Sequence, residues 1–266
     1  MRKVFLVVAV GSGLGLLMTV VAATWFLQDG TPTGGPTLTY ACPAPLASTD
    51  ASLITSRIAD LRVPASVEIL DASHLRAHVA ADPQAESLLR SLFDAHRLEI
   101  RRVDEAAMQS LATSALPAGV SGTTSPRPEI SAATAAALAA LASTTIRVGC
   151  DERHACRAWA VGPVELGSDD VADASASRDG EGATLAITLT SAARLAFARL
   201  TTSAVGARLA FLVDDHVLMV PVVQDPITGG HVSITLGERD GGYPLAAATA
   251  SALRLGPLAC SHWSLE

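Results

Sequence analysis

The sequence predicts an α+β protein with a single N-terminal transmembrane helix, and three observations support this class. The chain opens with a long apolar run, its next hundred residues alternate strand and helix patterns, and its last hundred carry apolar strands followed by a helix. With 266 residues, 49% hydrophobic and 17% charged, the chain is long enough to bury one or two cores. The net charge of -7 argues against a nucleic-acid partner, because phosphate binding requires a basic surface.

Residues 1–27 are predicted to be a cytoplasmic tip and a membrane anchor. Residues 4–27 carry no charge and would extend about 36 Å as a helix, which exceeds a hydrocarbon core of about 30 Å. Two basic residues precede the run, so the positive-inside bias keeps the N-terminus in the cytoplasm and the later domains outside the cell membrane. The alternative is a signal peptide cleaved after the small residues 22–23. Trp25 extends the run past that point, which favours a retained, single-pass anchor.

Residues 28–36 have a linker composition, and residues 37–110 are predicted to form a ferredoxin-like base. The predicted elements follow the order β-α-β-β-α-β, which is the split βαβ arrangement. They are a strand at 37–42, a helix at 50–62, strands at 67–70 and 74–79, a helix from 82–83 onward, and a strand at 98–103. Asp50 is expected to cap the first helix, and Pro83 suits the first turn of the second.

Residues 111–160 are predicted to connect this base to a second domain. A loop at 115–128 is rich in Pro, Gly, Ser and Thr, and an alanine-rich helix follows at 129–143. Two strands are then expected around a cysteine hairpin, at 144–148 and 157–161. The next segment, 162–167, has the composition of a hinge.

Four cysteines lie in the part of the chain expected outside the cell, where disulfides persist. Cys150 and Cys156 flank a turn-like insert, so a bridge across the neck of a hairpin is geometrically natural. That bridge would leave Cys42 to pair with Cys260. Four cysteines allow three pairings, so the sequence leaves the connectivity open. A zinc site is the weaker interpretation, because the cysteine and histidine spacings do not support it.

Residues 161–258 are predicted to form an α/β domain, with a C-terminal tail at 259–266. Its expected elements are a hairpin at 171–178 and 183–189, a helix capped by Thr190, strands at 208–213, 217–223 and 232–236, and a helix at 243–255. Leu195, Phe197 and Leu200 are expected to face the core from the first of these helices.

No catalytic residue, metal site or cofactor is predicted, and the chain is not expected to be an enzyme. His74 and His78 lie on one strand about 13 Å apart, too far to share a metal. Asp214, Asp215 and His216 are interpreted as a polar hairpin tip that points into water. With Pro221, the two aspartates are expected to be structural residues of the turn.

One spaced set of residues extends across the second predicted domain. It consists of Leu189, Thr190, Phe197, Leu200, Thr201, Gly206, Leu209, Ala210, Asp214, Val217, Pro221, Val222, Ile227, Gly229, Gly230, Ile234 and Gly237. This set resembles the head of the first periplasmic domain of SecD, a protein-export subunit that works beside the Sec translocon. The chain departs from the family pattern at Asp215, where the family usually has glycine, and at Met219, where it has serine.

The resemblance implies an extracytoplasmic module that engages exported polypeptide. Members of the family continue into five further membrane helices, and no second spanning segment is predicted here after residue 27. A motor activity is therefore not expected. The expected role is passive polypeptide binding or an accessory function in protein export or envelope assembly.

The expected partners are translocating or unfolded polypeptide and components of the Sec translocon. Gly229, Gly230 and Ile227 are the candidate binding residues, although a turn requirement also explains the two glycines. If the sheet containing residues 208–213 and 217–223 has a free edge, an unfolded chain could add to it by backbone hydrogen bonding. The alternative is a structural or regulatory envelope domain that binds one fixed protein partner, and an enzyme of unknown type is the third.

Overall fold

The structure of this chain is a computed structural model. The described residues are 35–43, 45, 48–93, 96–113, 145–150, 156–179, 182–237, 242–260 and 263–266. The predicted anchor, the loop at 115–128 and the alanine-rich helix at 129–143 lie outside these residues. Within the described part of the chain, no helix combines the length and apolar composition that crossing a bilayer requires.

One four-stranded sheet and two helices form the part of the fold named the base. Its elements are β1 (Thr37–Ala41), α1 (Ser48–Asp60), β2 (Ala65–Ile69), β3 (His74–Val79), α2 (Pro83–Leu92) and β12 (Ser264–Leu265). The sheet order is β12-β1-β3-β2, and every neighbouring pair is antiparallel. Alternate residues of β1 and β3 point to one face and are buried in a core shared with residues of α1 and α2.

The two helices of the base begin differently from each other. Helix α2 begins at Pro83 as predicted, and Asp82 caps it, because its Oδ1 accepts a hydrogen bond of 2.9 Å from the backbone N–H of Gln84. The prediction that Asp50 caps α1 is wrong, since α1 begins at Ser48. Asp50 instead lies in the first turn, is 1% exposed, and accepts a 2.8 Å hydrogen bond from the backbone N–H of Ala259.

Two further sheets and two helices form the part named the head, and one more helix lies between head and base. The elements are β4 (Leu98–Val103), α3 (Glu105–Thr113), β5 (Thr145–Cys150), β6 (Cys156–Gly167), β7 (Val171–Asp179), β8 (Gly182–Leu189), α4 (Ser191–Ser203), β9 (Leu209–Val213), β10 (His216–Met219), β11 (His231–Gly237) and the intervening helix α5 (Gly242–Leu255). The head sheets have the orders β10-β9-β4-β6-β5 and β11-β8-β7.

The strand order of the base differs from the split βαβ prediction in one strand. A split unit places its fourth strand beside its first, and residues 98–103 were expected in that position. These residues form β4, which lies between β9 and β6 in the head. Both faces of β4 carry buried residues, Leu98 and Ile100 on one and Arg101 and Val103 on the other, so this strand suits a central position. The edge beside β1 is taken by the short, exposed β12, which the sequence suggested was a tail.

Several other predictions for the head are resolved by the structure. The hairpin of β7 and β8 and the final helix are confirmed, and Gly256, with a φ of 100°, follows that helix. The strand at 232–236 pairs with β8 and not with β9 or β10. The hinge composition at 162–167 is misleading, because β6 continues through it with shifts of register. Helix α3 was not predicted.

Helix α4 shows how far local signals determined the fold. Thr190 caps it as predicted, with Oγ1 accepting a hydrogen bond of 3.2 Å from the backbone N–H of Ala193. Phe197 and Leu200 are buried in the head core. The prediction for Leu195 is wrong, since this side chain is 56% exposed. It lies half a turn away from Phe197, so the two cannot share one face.

The head and the base have separate cores within one compact unit, Thr31–Glu266. The head core lies between the β7–β8–β11 sheet, the strands β4 and β9, and the helices α4 and α5. Helix α5 contributes to both cores, through Ala246 and Ala250 to the head and through Ala248 to the base. The domain boundaries proposed from the sequence stay predictions.

Candidate functional site

The predicted binding loop, residues 224–230, runs alongside helix α4. The backbone N–H of Ile227 donates a 2.9 Å hydrogen bond to Oγ1 of Thr201, near the C-terminal end of the helix. Gly230 lies against the side chain of Arg194, near the N-terminal end. The loop is therefore held at two points, and the side chain of Ile227 remains 40% exposed.

Thr201, a member of the spaced set that resembles the SecD head, is a positioning residue whose role was not predicted from the sequence. It is fully buried, and its hydroxyl donates to the carbonyl of Phe197 at 2.8 Å while accepting from Ile227. Because the hydroxyl both donates and accepts a hydrogen bond, its burial leaves no polar atom of this side chain unsatisfied. The sequence could have indicated this role, because a threonine one residue after Leu200 lies on the side of the helix that is expected to be buried.

The two glycines of the loop are not equivalent. Gly230 has a φ of 71°, and a Cβ atom there would lie 2.7 Å from Cγ of Arg194. Gly230 is therefore required by the turn itself. Gly229 is exposed, and the nearest atom to a Cβ placed on it is 3.8 Å away on His231. The turn requirement thus explains Gly230 and leaves Gly229 unexplained.

The loop leads directly into β11, which lies at the edge of the three-stranded sheet. The carbonyl of Gly230 accepts a 2.9 Å hydrogen bond from the N–H of Leu189 in β8. Gly230 and every second residue after it therefore direct their backbone N–H and C=O groups toward β8. Because antiparallel partners alternate, the backbone groups of His231, Ser233 and Thr235 point away from β8. Within the described ranges, no strand pairs with this outer side of β11.

The sheet that was expected to offer a free edge has its two outer strands close together. Its outer strands are β10 and β5. A Cβ on Gly149 of β5 would lie 2.7 Å from the carbonyl oxygen of Val217 of β10, so the two strands are in contact. All five residues of β9 are buried, which confirms that this apolar run belongs to the core. β11, which follows the predicted binding loop, is instead an outer strand of the three-stranded sheet.

The turn between β9 and β10 makes specific contacts with the rest of the fold. Asp214 and Asp215 have φ values of 49° and 69°, so both adopt the left-handed conformation of a tight hairpin turn. The carboxylate of Asp214 accepts hydrogen bonds from the backbone N–H groups of His96 and Arg97 at 2.9 and 2.8 Å. Asp215 forms an ion pair with Arg147 at 2.6 Å. The prediction that the carboxylates point into water is therefore wrong for Asp214, whereas the side chain of Asp215 is 65% exposed.

Pro221 follows β10 and accepts through its carbonyl a 3.1 Å hydrogen bond from the N–H of Leu209. Its ring lacks a donor, which suits a position where the regular ladder ends. Pro221 thus helps to guide the chain from β10 toward the loop at 224–230.

One predicted disulfide is present in the structure. Cys42, which follows β1, is bonded to Cys260, which precedes β12, across 218 residues of sequence. Cys150 and Cys156 occupy directly opposed positions of the β5–β6 pair. Their bond stays a prediction.

The histidines of β3 take part in polar contacts of the base. His74 hydrogen bonds through Nδ1 to Asp71, and this contact raises the pKa of His74. Backbone N–H donation from Ser73, together with His74, lowers the pKa of Asp71 to about 2. His78 lies 3.1 Å from Oγ1 of Thr37. Across the described residues, no group of three or more His, Cys, Asp or Glu side chains could hold a metal.

A comparison with protein families matches residues 149–260 to the P1 head subdomain of SecDF. No curated protein matches the chain. A solved structure of SecDF in a super-membrane-facing form has 20% identity and a TM-score of 0.53, over 88% of this chain and 30% of the other. The chain thus spans about a third of the length of that relative.

Two further solved structures show weaker similarity. One, described as a membrane component SecDF that enhances protein export, has 19% identity and a TM-score of 0.49, over 86% of this chain and 97% of the other. The other is SecDF from Thermus thermophilus, described as translocon-associated, with 20% identity and a TM-score of 0.34, over 87% of this chain and 30% of the other. The part of the chain that matches the family model, residues 149–260, is similar to the P1 head subdomain of SecDF.

Proposed function

We propose that this chain is a passive polypeptide-binding or accessory module in protein export or envelope assembly, held at the membrane by its N-terminal segment. The similarity of residues 149–260 to the SecDF P1 head supports a role in export. SecDF is described as a membrane component that enhances protein export and as translocon-associated. The partners proposed here are unfolded polypeptide and components of the Sec translocon.

The observation that carries this proposal is the outer edge of β11. His231, Ser233 and Thr235 present backbone N–H and C=O groups at about 7 Å intervals, which is the spacing that an added strand requires. Hydrogen bonds between backbones do not depend on the side chains of the bound peptide. Strand addition therefore suits a module that binds exported polypeptides of many different sequences. The edge would bind an extended chain while it remains unfolded.

The surface beside this edge supplies apolar contact. Ile227 is 40% exposed on the loop that precedes β11. This side chain, when covered, contributes roughly 1 kcal/mol through the apolar area removed from water. The proposed binding surface therefore consists of the outer edge of β11 together with Ile227 and Gly229.

A proline substitution at Ser233 tests the edge directly. Ser233→Pro removes an outward N–H and leaves the bonds between β8 and β11 in place, because Ser233 points away from β8. A hydrogen bond contributes about 1 kcal/mol net, so affinity for a labelled, reduced and carboxymethylated polypeptide should fall about five- to tenfold. Ser233→Ala keeps the N–H and should bind like wild type.

The melting temperature of each variant shows whether the fold is intact. Equal affinity of folded Ser233→Pro and Ser233→Ala would contradict strand addition at β11. A photocrosslinker at Ser233 in intact cells then separates the two classes of function. Adducts with many nascent chains support polypeptide binding, whereas one dominant adduct favours a domain that recognises a fixed protein partner.

A further inference from the structure

Many arginines of the described residues are already paired with acidic neighbours. Ion pairs with Asp or Glu are made by Arg76, Arg90, Arg101, Arg102, Arg147, Arg208 and Arg254. Such pairing is expected in a chain with 26 acidic and 19 basic residues, because the surplus of carboxylates leaves few cations without a partner. An exposed arginine that has no acidic partner within the fold is therefore a candidate for binding a carboxylate from another molecule.

Helix α4 carries two arginines of this kind, Arg194 and Arg199. Both residues are exposed, and within the described ranges neither side chain forms an ion pair or a hydrogen bond. Five residues along a helix place the two side chains about 140° apart around the helix axis. The two arginines therefore face different surroundings although they have the same chemistry.

Arg194 lies on the side of α4 that faces the loop at 224–230. A Cβ atom on Gly230 would lie 2.7 Å from Cγ of Arg194 and 3.0 Å from its Cβ and Cδ, so the aliphatic stem packs directly on the backbone of Gly230. Thr201, about two turns further along α4, holds the loop through Ile227. A long cationic side chain can cover a neighbour with its stem in this way and keep its guanidinium in water.

This position places a cation at the start of the proposed binding edge. Gly230 immediately precedes His231, the first residue of β11 whose backbone groups point away from β8. An added strand lies about 4.8 Å from its neighbour, so it would pass the start of β11 within reach of the Arg194 side chain. β11 has the sequence HVSITLG and thus no carboxylate of its own. The carboxylate of the loop, Asp225, precedes Ile227 at the end of the loop that Thr201 holds.

We propose that Arg194 makes the binding edge of the head selective for acidic segments of unfolded polypeptide. The inference rests on the proposed function, because the bound chain is the strand that adds to β11. Backbone pairing supplies affinity for any sequence, and the guanidinium adds a charge-assisted contact with an Asp or Glu side chain of the bound strand. Complementary charges at the rim of an interface contribute specificity more than affinity. Arg194 is thus a specificity-determining residue, and Gly230 admits its stem by having no side chain.

The expected preference is small and requires a control with the same net charge. Exposed pairs between arginine and carboxylate are weak, so the contact should change affinity about two- to fivefold. A chain with a net charge of -7 also repels acidic polypeptide at long range, and removing any arginine increases that repulsion. Arg199→Met is the matched control, because it removes an exposed, unpaired cation from the same helix and leaves the contact of Arg194 with Gly230 in place.

The probe is labelled, reduced ribonuclease A in two forms of identical sequence. Alkylation with iodoacetate places a carboxylate on each cysteine, whereas alkylation with iodoacetamide places a neutral amide there. Fluorescence anisotropy with each variant of the full chain gives one dissociation constant for each form. The ratio of the two constants measures the preference for the acidic form.

Arg194→Met keeps an aliphatic stem and removes the charge, whereas Arg194→Lys keeps both. The preference for the acidic form should be about two- to fivefold lower in Arg194→Met than in Arg199→Met, and Arg194→Lys should retain it. Raising the salt concentration should remove this difference, because an exposed pair is screened. Equal preferences in folded Arg194→Met and Arg199→Met would overturn the proposal. A loss in Arg194→Lys as large as that in Arg194→Met would also overturn it, since the charge would then not be the cause.

Ser233→Pro separates this inference from the proposed function. It removes a backbone donor, so it should weaken binding of both forms by the same factor and leave their ratio unchanged. An effect of Ser233→Pro without any effect of Arg194→Met would leave strand addition in place and overturn the selectivity alone. Unchanged binding of both forms by Ser233→Pro would overturn strand addition at β11 and the selectivity with it.

Discussion

Removal of the Cys42–Cys260 disulfide is the most quantitative test of how the base is closed. The bond joins residues 218 apart, and β12 pairs with β1 immediately beyond it. Cross-linking a loop of this length removes about 5 kcal/mol of chain entropy from the unfolded state at 25 °C. That is a large share of a typical stability of about 5 to 15 kcal/mol. We therefore expect Cys42→Ser with Cys260→Ser to lower the free energy of unfolding by up to about 5 kcal/mol.

The assay is equilibrium urea unfolding of the double-serine variant and of wild type, both under oxidising conditions, with midpoints and m-values from the same probe. The loss is expected in the midpoint, and a rise in m would report a more expanded unfolded chain. Cys150→Ser with Cys156→Ser is the matched control. A bond between those residues would close only a short loop, so its removal should cost no more than about 2 kcal/mol.

The comparison of the two pairs decides the outcome. If the Cys42 and Cys260 variant loses no more stability than the Cys150 and Cys156 variant, the entropic argument from loop length is wrong for this fold. The same result would mean that β12 is held on β1 by its own packing. In that case Trp263 fluorescence should be unchanged in the native state of the variant.

Three further outcomes follow from local contacts. Gly230→Ala should destabilise the fold by about 1 to 3 kcal/mol because of its positive φ and its crowding by an arginine of α4, whereas Gly229→Ala should change the free energy of unfolding by less than about 0.5 kcal/mol in the same urea titration. Thr190→Ala should cost about 1 kcal/mol by differential scanning calorimetry, since the cap of α4 is lost. The His74–Asp71 contact should stabilise the fold most between about pH 4 and 6.5. It weakens as pH rises through the raised pKa of His74 or falls toward about 2, where Asp71 is protonated, and comparison of His74→Gln with wild type across pH measures this window.

Elements that depend on neighbouring residues along the chain were predicted from the sequence. Strand β3 alternates buried and half-buried residues in its sequence order, so its period of two was visible. The predicted cap at Thr190 bonds to the N–H group three residues later, so its partner is fixed by the helix itself. Such signals require no knowledge of the rest of the fold.

Sheet membership could not be predicted in the same way. Residues 98–103 fit a base strand and a head strand equally well by composition. Whether these residues join the base sheet or the head sheet depends on which strand pairs with the free edge of β1. That strand is β12, at the other end of the chain. Contacts across such a separation leave no local pattern, because a two-residue edge strand has too few residues to show a period.

The candidate binding residues Ile227, Gly229 and Gly230 precede the outer strand β11, which belongs to a different sheet from the one in which a free edge was considered. The apolar composition of β9 and β10 indicated burial, and burial of both faces is what the structure shows for β9. It did not indicate that β10 would lie against β5. Asp214 was predicted to point into water because an aspartate in a turn is usually solvated. The N–H groups that its carboxylate accepts from belong to residues more than a hundred positions earlier, so no local pattern indicates them.

The proposed binding edge lies away from the strands on which helix α5 chiefly packs, which has a mechanical consequence. Helix α5 packs chiefly on β7 and β8, whereas the outward backbone groups of β11 lie at the opposite edge. A polypeptide strand could therefore add to β11 without displacing α5 from either core. Because the base strands β1 to β3 precede the head in sequence and β12 follows it, the head is inserted within the base. A load on β11 would then reach the base through α5 and β4 together, because α5 contributes to both cores.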